Sequence, residues 1–284
     1  MSKITLDNFS VMNVQYLQYS FDYFLNSMKE NNIKNIEFWA GSPHYSRLSF
    51  YNSLSAENYL KRIKKKLDSL NMKTIMYTPE LLNYPFNLSS NSLEERNITL
   101  DYLKKSICDA KILDCNNLFI NSGCGLRDHP LKSNWEKNVD SINKILELAS
   151  EYNTKIVIEQ LQPYESNLIT NRDDLLNLYK EVEFDNLDVC LDVVAMEVAK
   201  ENIEDYFSIL KENIKHIHFS DGNPSGHLIL GEGQLPLNKY INCLEKNNYY
   251  NFLTLEINDS IYWENPHKSI KNSLEFLRKN LNII

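Results

Sequence analysis

The chain has 284 residues, 43% of them hydrophobic, with 30 Lys+Arg against 38 Asp+Glu and a formal net charge of -8. This length supports one large core and suits a single α/β domain over 1–284, while the acidic balance argues against a broad phosphate-binding surface and hence against a nucleic-acid partner. Five scattered cysteines without a CxxC pair, no leader-like amino terminus and no run of eighteen apolar residues suit a reduced cytoplasmic protein with no membrane association, whose partner is a small molecule.

Residues 10–14 read as a first strand, followed by a helix over 19–29 in which Phe21, Phe24, Leu25 and Met28 recur at helical spacing. A second strand over 35–39 is broken by Gly41, Ser42, Pro43 and His44. Ser55 reads as the N-cap of a charged helix through Leu70. A third strand over 72–77 closes with Thr78, Pro79 and Glu80; a polar loop over 81–91 and a helix over 92–113 follow. The remaining strands fall at 117–121, 155–159, 188–192, 215–219 and 251–256. Helices at 134–152, 173–180, 203–211, 238–246 and 265–279 alternate with them or close the chain. Eight strands alternating with helices predict a (β/α)8 TIM barrel. A doubly wound open sheet fits less well, since no GxGxxG follows any strand.

The fifth strand, Lys155-Ile156-Val157-Ile158-Glu159, runs apolar, β-branched residues straight into a carboxylate. The same pattern ends the sixth, seventh and eighth strands at Asp192, His218 and Glu256. In a barrel these four project at one mouth, and three carboxylates with one imidazole suit a single divalent cation of the Mn, Co or Mg type. A lone strand-end carboxylate more often hydrogen-bonds or ion-pairs than ligates, but four in succession are hard to assign that way. The two histidines of His216-Ile217-His218 are expected on opposite strand faces, one toward the barrel interior or mouth and the other toward the helices.

At these residues the chain resembles the xylose-isomerase-like barrel superfamily of sugar isomerases, ketose 3-epimerases and apurinic endonucleases, and within it the fructoselysine 3-epimerases and other ketose 3-epimerases. The resemblance rests on Ile36-Glu37-Phe38-Trp39 with Gly41 and Pro43-His44, Tyr77-Thr78-Pro79-Glu80 with Asn83-Tyr84-Pro85, Glu159 with Pro163-Tyr164-Glu165-Ser166-Asn167, Asp192, His216 to His218, Gly231-Glu232-Gly233 and Glu256. It implies that Glu159, Asp192, His218 and Glu256 hold the metal, that Glu159 and Glu256 also transfer the protons, and that Glu165 contacts substrate. Two handles for a free hexulose are replaced: Ala195 stands three residues after the aspartate, and Pro224 six after the histidine. A substituted sugar is therefore expected, with His227 as a replacement donor. Thr78, Asn121 and Ala195 stand where an apurinic endonuclease needs histidines.

Substrate recognition is further expected from Trp39, His44, Tyr77, Glu80 and Tyr84, aromatic faces packing on sugar C–H surfaces and Glu80 meeting an ammonium. The implied activity is metal-dependent 3-epimerisation of a ketose, of the fructoselysine/psicoselysine type, through an enediolate. Aldose–ketose isomerisation, a 3-dehydroshikimate-type dehydration, or sugar binding without turnover are the alternatives. A homo-oligomer fits the resemblance.

Overall fold

A computed structural model describes residues 3–82, 85–281 and 283. Eight parallel strands close into a barrel in sequence order, β1 Phe9–Met12, β2 Asn35–Ala40, β3 Lys73–Pro79, β4 Asn117–Ile120, β5 Lys155–Glu159, β6 Leu187–Asp192, β7 Ile214–His218 and β8 Phe252–Leu255. Pairing of β1 with β8 completes the cylinder, so no strand is left with a free edge. The expected (β/α)8 TIM barrel is therefore present.

The helices lie between the strands in sequence: α1 Phe21–Glu30, α2 Ser53–Ser69, α3 Leu93–Ile112, α4 Leu131–Glu151, α5 Arg172–Glu181, α6 Val193–Val198, α7 Ile203–Leu210, α8 Leu237–Lys246 and α9 Pro266–Asn280. Of the boundaries that differ from the sequence reading, two do so for identifiable reasons. The chain leaves β1 at Met12 because Asn13–Tyr16 turns into a 3-10 helix. Helix α2 begins earlier because Asn52, not Ser55, is its cap, the Asn52 side chain accepting from the Ser55 N–H. Helix α6, not anticipated, starts where Asp192 accepts from the Val194 N–H.

Two apolar cores result. The larger lies between the sheet and the helices, and contains the outward strand residues Phe38, Ile156, Ile158 and Leu253. A smaller one fills the barrel itself with Ile75, Met76, Phe119, Val157 and Cys190; Ile75 is the extra residue at a register shift between β2 and β3. Strand side chains alternate faces with a two-residue period. Inward Val157 therefore predicts inward Glu159, and inward Cys190 predicts inward Asp192.

The same rule corrects the expectation for His216 and His218. Residues two apart share a face, and both imidazoles point into the barrel, where both reach Glu37. Tyr77, between inward Met76 and Thr78, instead faces the helices: it is 1% exposed and directs its hydroxyl toward Asp109.

Among the described residues no helix is long and apolar enough to cross a membrane.

Candidate active site

The C-terminal ends of the strands enclose a cavity of about 410 Å³. Glu159 ends β5, Asp192 ends β6, His218 ends β7, and Glu256 stands one residue beyond β8. All four line the cavity. Ligand atoms of Glu159, His218 and Glu256 lie within 4.8 Å of one another, close enough to share one ion. His218 Nδ1 is 2.5 Å from Glu159 Oε1 and 2.8 Å from Glu256 Oε2.

Asp192 adjoins this trio but is otherwise engaged. Its Oδ1 accepts from the Val194 N–H at 2.8 Å, and its Oδ2 lies 3.2 Å from His227 Nε2. His227 comes from the loop between β7 and α8, and its Nε2 also lies 3.7 Å from Glu256 Oε2. The structure thus gathers three of the four expected ligands and sets the fourth beside them, bridged by a histidine expected only as a substrate donor. One nitrogen and two carboxylates, with a third carboxylate adjacent, form an oxygen-rich set that fits a hard or borderline divalent cation.

The electrostatics follow from packing several acids into a half-closed cavity. Burial pushes the Glu159 carboxyl above its ordinary range, with Glu256 and Asp192 adding to the rise and His218 opposing it. Burial alone would lower the His218 imidazole, but Cys190 and the carboxylates Glu256, Glu37 and Glu159 raise it well above the usual histidine value. Burial would likewise lower His227, yet Glu256 and Asp192 raise it to about 10. Burial would raise Asp192, but His227 and His218 hold it below the usual carboxylate range.

Glu37, one of the residues that carry the resemblance, is completely buried beneath the mouth. Its Oε1 accepts from Thr78 Oγ1 at 2.7 Å and lies 3.1 Å from His218 Nε2, while Oε2 lies 2.6 Å from His216 Nε2. Burial alone would raise this carboxyl; His218 and His216 hold it well below the usual range. A carboxylate inside an apolar strand, on the same face as Trp39, was the signal available in the sequence. Cys190, His216 and His218 also come within 4.8 Å of one another, but both imidazoles are already bonded to Glu37.

The expected recognition residues divide. Trp39, Glu80, Glu165 and His227 line the cavity. Glu80 accepts from Trp39 Nε1 at 3.1 Å and from the Leu82 N–H at 2.8 Å, which fixes the indole at the rim. Glu165 Oε2 accepts from the Gln162 N–H. His44 does not reach the cavity. It is 1% exposed, bonded to Asn13 and the Tyr19 carbonyl and packed against Phe21 and Phe24, so it braces the loop after β2. Tyr77 is excluded by its outward orientation, and Tyr84 lies outside the described residues. Asp259 and Trp263, missed in the sequence, complete the wall beyond β8.

A closed parallel barrel with carboxylates and an imidazole converging at its C-terminal mouth defines a class, and the chain falls within it. Residues 25–280 match the family described as xylose isomerase-like TIM barrel, and the chain belongs to that family. It is similar to the fructoselysine 3-epimerase of Shigella flexneri, 29% identical over 245 residues that span 86% of this chain and 87% of that protein. Among solved structures, a 3-keto-D-glucoside 4-epimerase from E. coli has a TM-score of 0.78 at 14% identity, covering 95% of this chain and 98% of that one. An L-ribulose 3-epimerase has a TM-score of 0.78 at 16% identity, covering 99% and 95%. At such identities these two structures speak to the shared fold.

Proposed function

We propose that the chain is an isomerase that interconverts C3 epimers of an amino-substituted ketose, with fructoselysine and psicoselysine as the leading pair. In this reading Glu159, His218 and Glu256, with Asp192 completing the set, hold one divalent cation of the Mn, Co or Mg type. The observation that carries the reading is the convergence of Glu159 and Glu256, from β5 and from beyond β8, on the same imidazole nitrogen.

Epimerisation at C3 removes a proton α to the C2 carbonyl and returns one to the opposite face. Two carboxylates that approach the site from separate walls, β5 and the residue after β8, suit this: one takes the proton while the other, protonated, gives one, and the roles exchange with direction. A bound divalent cation supplies Lewis-acid stabilisation of the negative charge that develops on the sugar oxygens. His227, cationic beside Asp192 and Glu256, serves as a further donor to sugar oxygens.

The choice of substituent rests on the wall chemistry. Six carboxylates line the cavity, Glu80, Glu159, Glu165, Asp192, Glu256 and Asp259, and no lysine or arginine does so among the described residues. A phosphorylated sugar would find no guanidinium or ammonium partner there. An ammonium-bearing sugar would meet Glu80 at the rim. The similarity to fructoselysine 3-epimerase points the same way.

The test is incubation with fructoselysine in deuterated water with Mn or Co, followed by NMR. Deuterium entering C3 together with formation of the epimer is the expected result. Exchange at C1 would make the enzyme an isomerase of aldose–ketose type, loss of water a dehydratase, and no change in any of several substituted ketoses a binding protein.

A further inference from the structure

We propose that Glu37 is a positioning residue for the cation site, its carboxylate holding the Nε2–H of His218 and thereby presenting Nδ1 to the ion. A neutral imidazole has one N–H and one lone pair, so when one nitrogen gives its lone pair to an ion the other carries the hydrogen. For His218 the assignment follows from where each nitrogen lies. Nε2 points down the barrel to Glu37 Oε1 at 3.1 Å, and Nδ1 points up to Glu159 and Glu256, the two acids that share the candidate ion.

Glu37 is held for this task from every side. Thr78 donates to Oε1 from β3, the neighbouring strand, and His216 meets Oε2 from β7 across the barrel. His216 Nε2 is also 2.9 Å from Thr254 Oγ1, which lies 2.5 Å from Ser10 Oγ. These groups are all buried. Phe119 stacks on the His218 ring with centroids 5.5 Å apart and planes 25° apart, which fixes the ring about its remaining degree of freedom. A carboxylate that accepts the distal N–H of a ligating histidine makes the ligand nitrogen more basic and sets its direction, and losing such a partner typically lowers metal affinity about 10–100-fold.

The inference rests on the cation site proposed above, and its readouts are independent of turnover, so a wrong sugar leaves it intact. Glu37→Gln keeps the shape, and an acceptor for Thr78, but removes the charge. Calorimetric titration with Mn2+ should show affinity about 10–100-fold weaker than in the wild type, with circular dichroism confirming the fold. In the wild type labelled with 15N-histidine and loaded with diamagnetic Zn2+, long-range 15N–1H correlations should show His218 protonated at Nε2 and coordinated through Nδ1. Coordination through Nε2, a folded Glu37→Gln with Mn2+ affinity within about threefold of wild type, or a wild type that binds neither ion would each overturn the proposal. Should Glu37→Gln fail to fold, the wild-type spectrum alone decides it.

Discussion

Replacing Glu256 by glutamine should separate the two proton transfers. The glutamine keeps the volume and can still meet His218 Nδ1, from which Glu256 Oε2 now lies 2.8 Å, but it can neither take nor deliver a proton. Removing one general acid–base group costs about 10²–10⁴-fold in rate, equivalent to about 3–5 kcal/mol of barrier. Because Glu159 comes from the other wall, its half of the reaction survives. Glu256→Gln, saturated with Mn2+ and checked for metal content, should lose interconversion by that factor. It should still wash deuterium into C3 of the one epimer whose hydrogen faces Glu159. Glu159→Gln should show the same loss with the epimer preference reversed. The assay is 1H NMR of each epimer separately in deuterated water. Loss of exchange from both epimers in both metal-loaded variants, or interconversion within tenfold of wild type in either, would refute a two-wall mechanism.

Three further outcomes follow from the geometry and charge. His218 holds its proton well above the usual histidine range and the Glu159 carboxyl is raised as well, so cation binding at neutral pH should expel about one to two protons. Affinity should then rise with pH from 6 to 8 and fall in acid; calorimetry in buffers of different ionisation enthalpy checks this, and heats independent of buffer would contradict it. Arg47 Nη1 lies 2.7 Å from Asp109 Oδ1 with the two side chains 9% and 0% exposed, so Arg47→Met, which leaves the carboxylate buried against Tyr45, should cost about 3–5 kcal/mol. Burial pushes Asp109 up to about 6, so the folded state binds the proton more tightly and stability falls as pH rises through that value. Urea unfolding should therefore show a larger loss at pH 8 than at pH 5. A Cβ on Gly233 would stand 2.2 Å from Asp221 Oδ1 and 2.5 Å from the Gly222 backbone. Gly233→Ala should thus disturb the loop that carries His227, lowering stability by about 1–3 kcal/mol, read by thermal unfolding.

The parts of the site written in strand periodicity were legible, and the parts written in loops were not. Glu159, Asp192 and His218 each end a strand whose previous inward residue is two positions earlier, so sequence alone placed them at one mouth. The same period, applied to β3, would have turned Tyr77 outward. Applied to β7, it would have put both histidines inside. His44 and His227 both follow strands at a distance, and nothing in their spacing tells that one is buried under Phe21 and Phe24 while the other returns to Asp192. Asp221 was equally silent. Its carboxylate collects the N–H groups of Gly222, Gly231 and Leu235, which organises the loop that delivers His227.

The polar layer beneath the mouth is the strongest reason to read this barrel as a catalyst and not only as a container. Burying hydroxyl, imidazole and carboxylate groups costs free energy unless every one is bonded, and apolar side chains of similar size would fill the same space without that requirement. Here β5 and β6 do fill it that way, with Val157 and Cys190 below Glu159 and Asp192. Under His218 the arrangement changes to Glu37, Thr78, His216, Thr254 and Ser10, bonded to one another across the barrel. The polar layer is therefore placed under the one nitrogen of the proposed ligand set, whose part there depends on which of two atoms carries a proton. A carboxylate ligand, with two equivalent oxygens, imposes no such requirement on the layer below it.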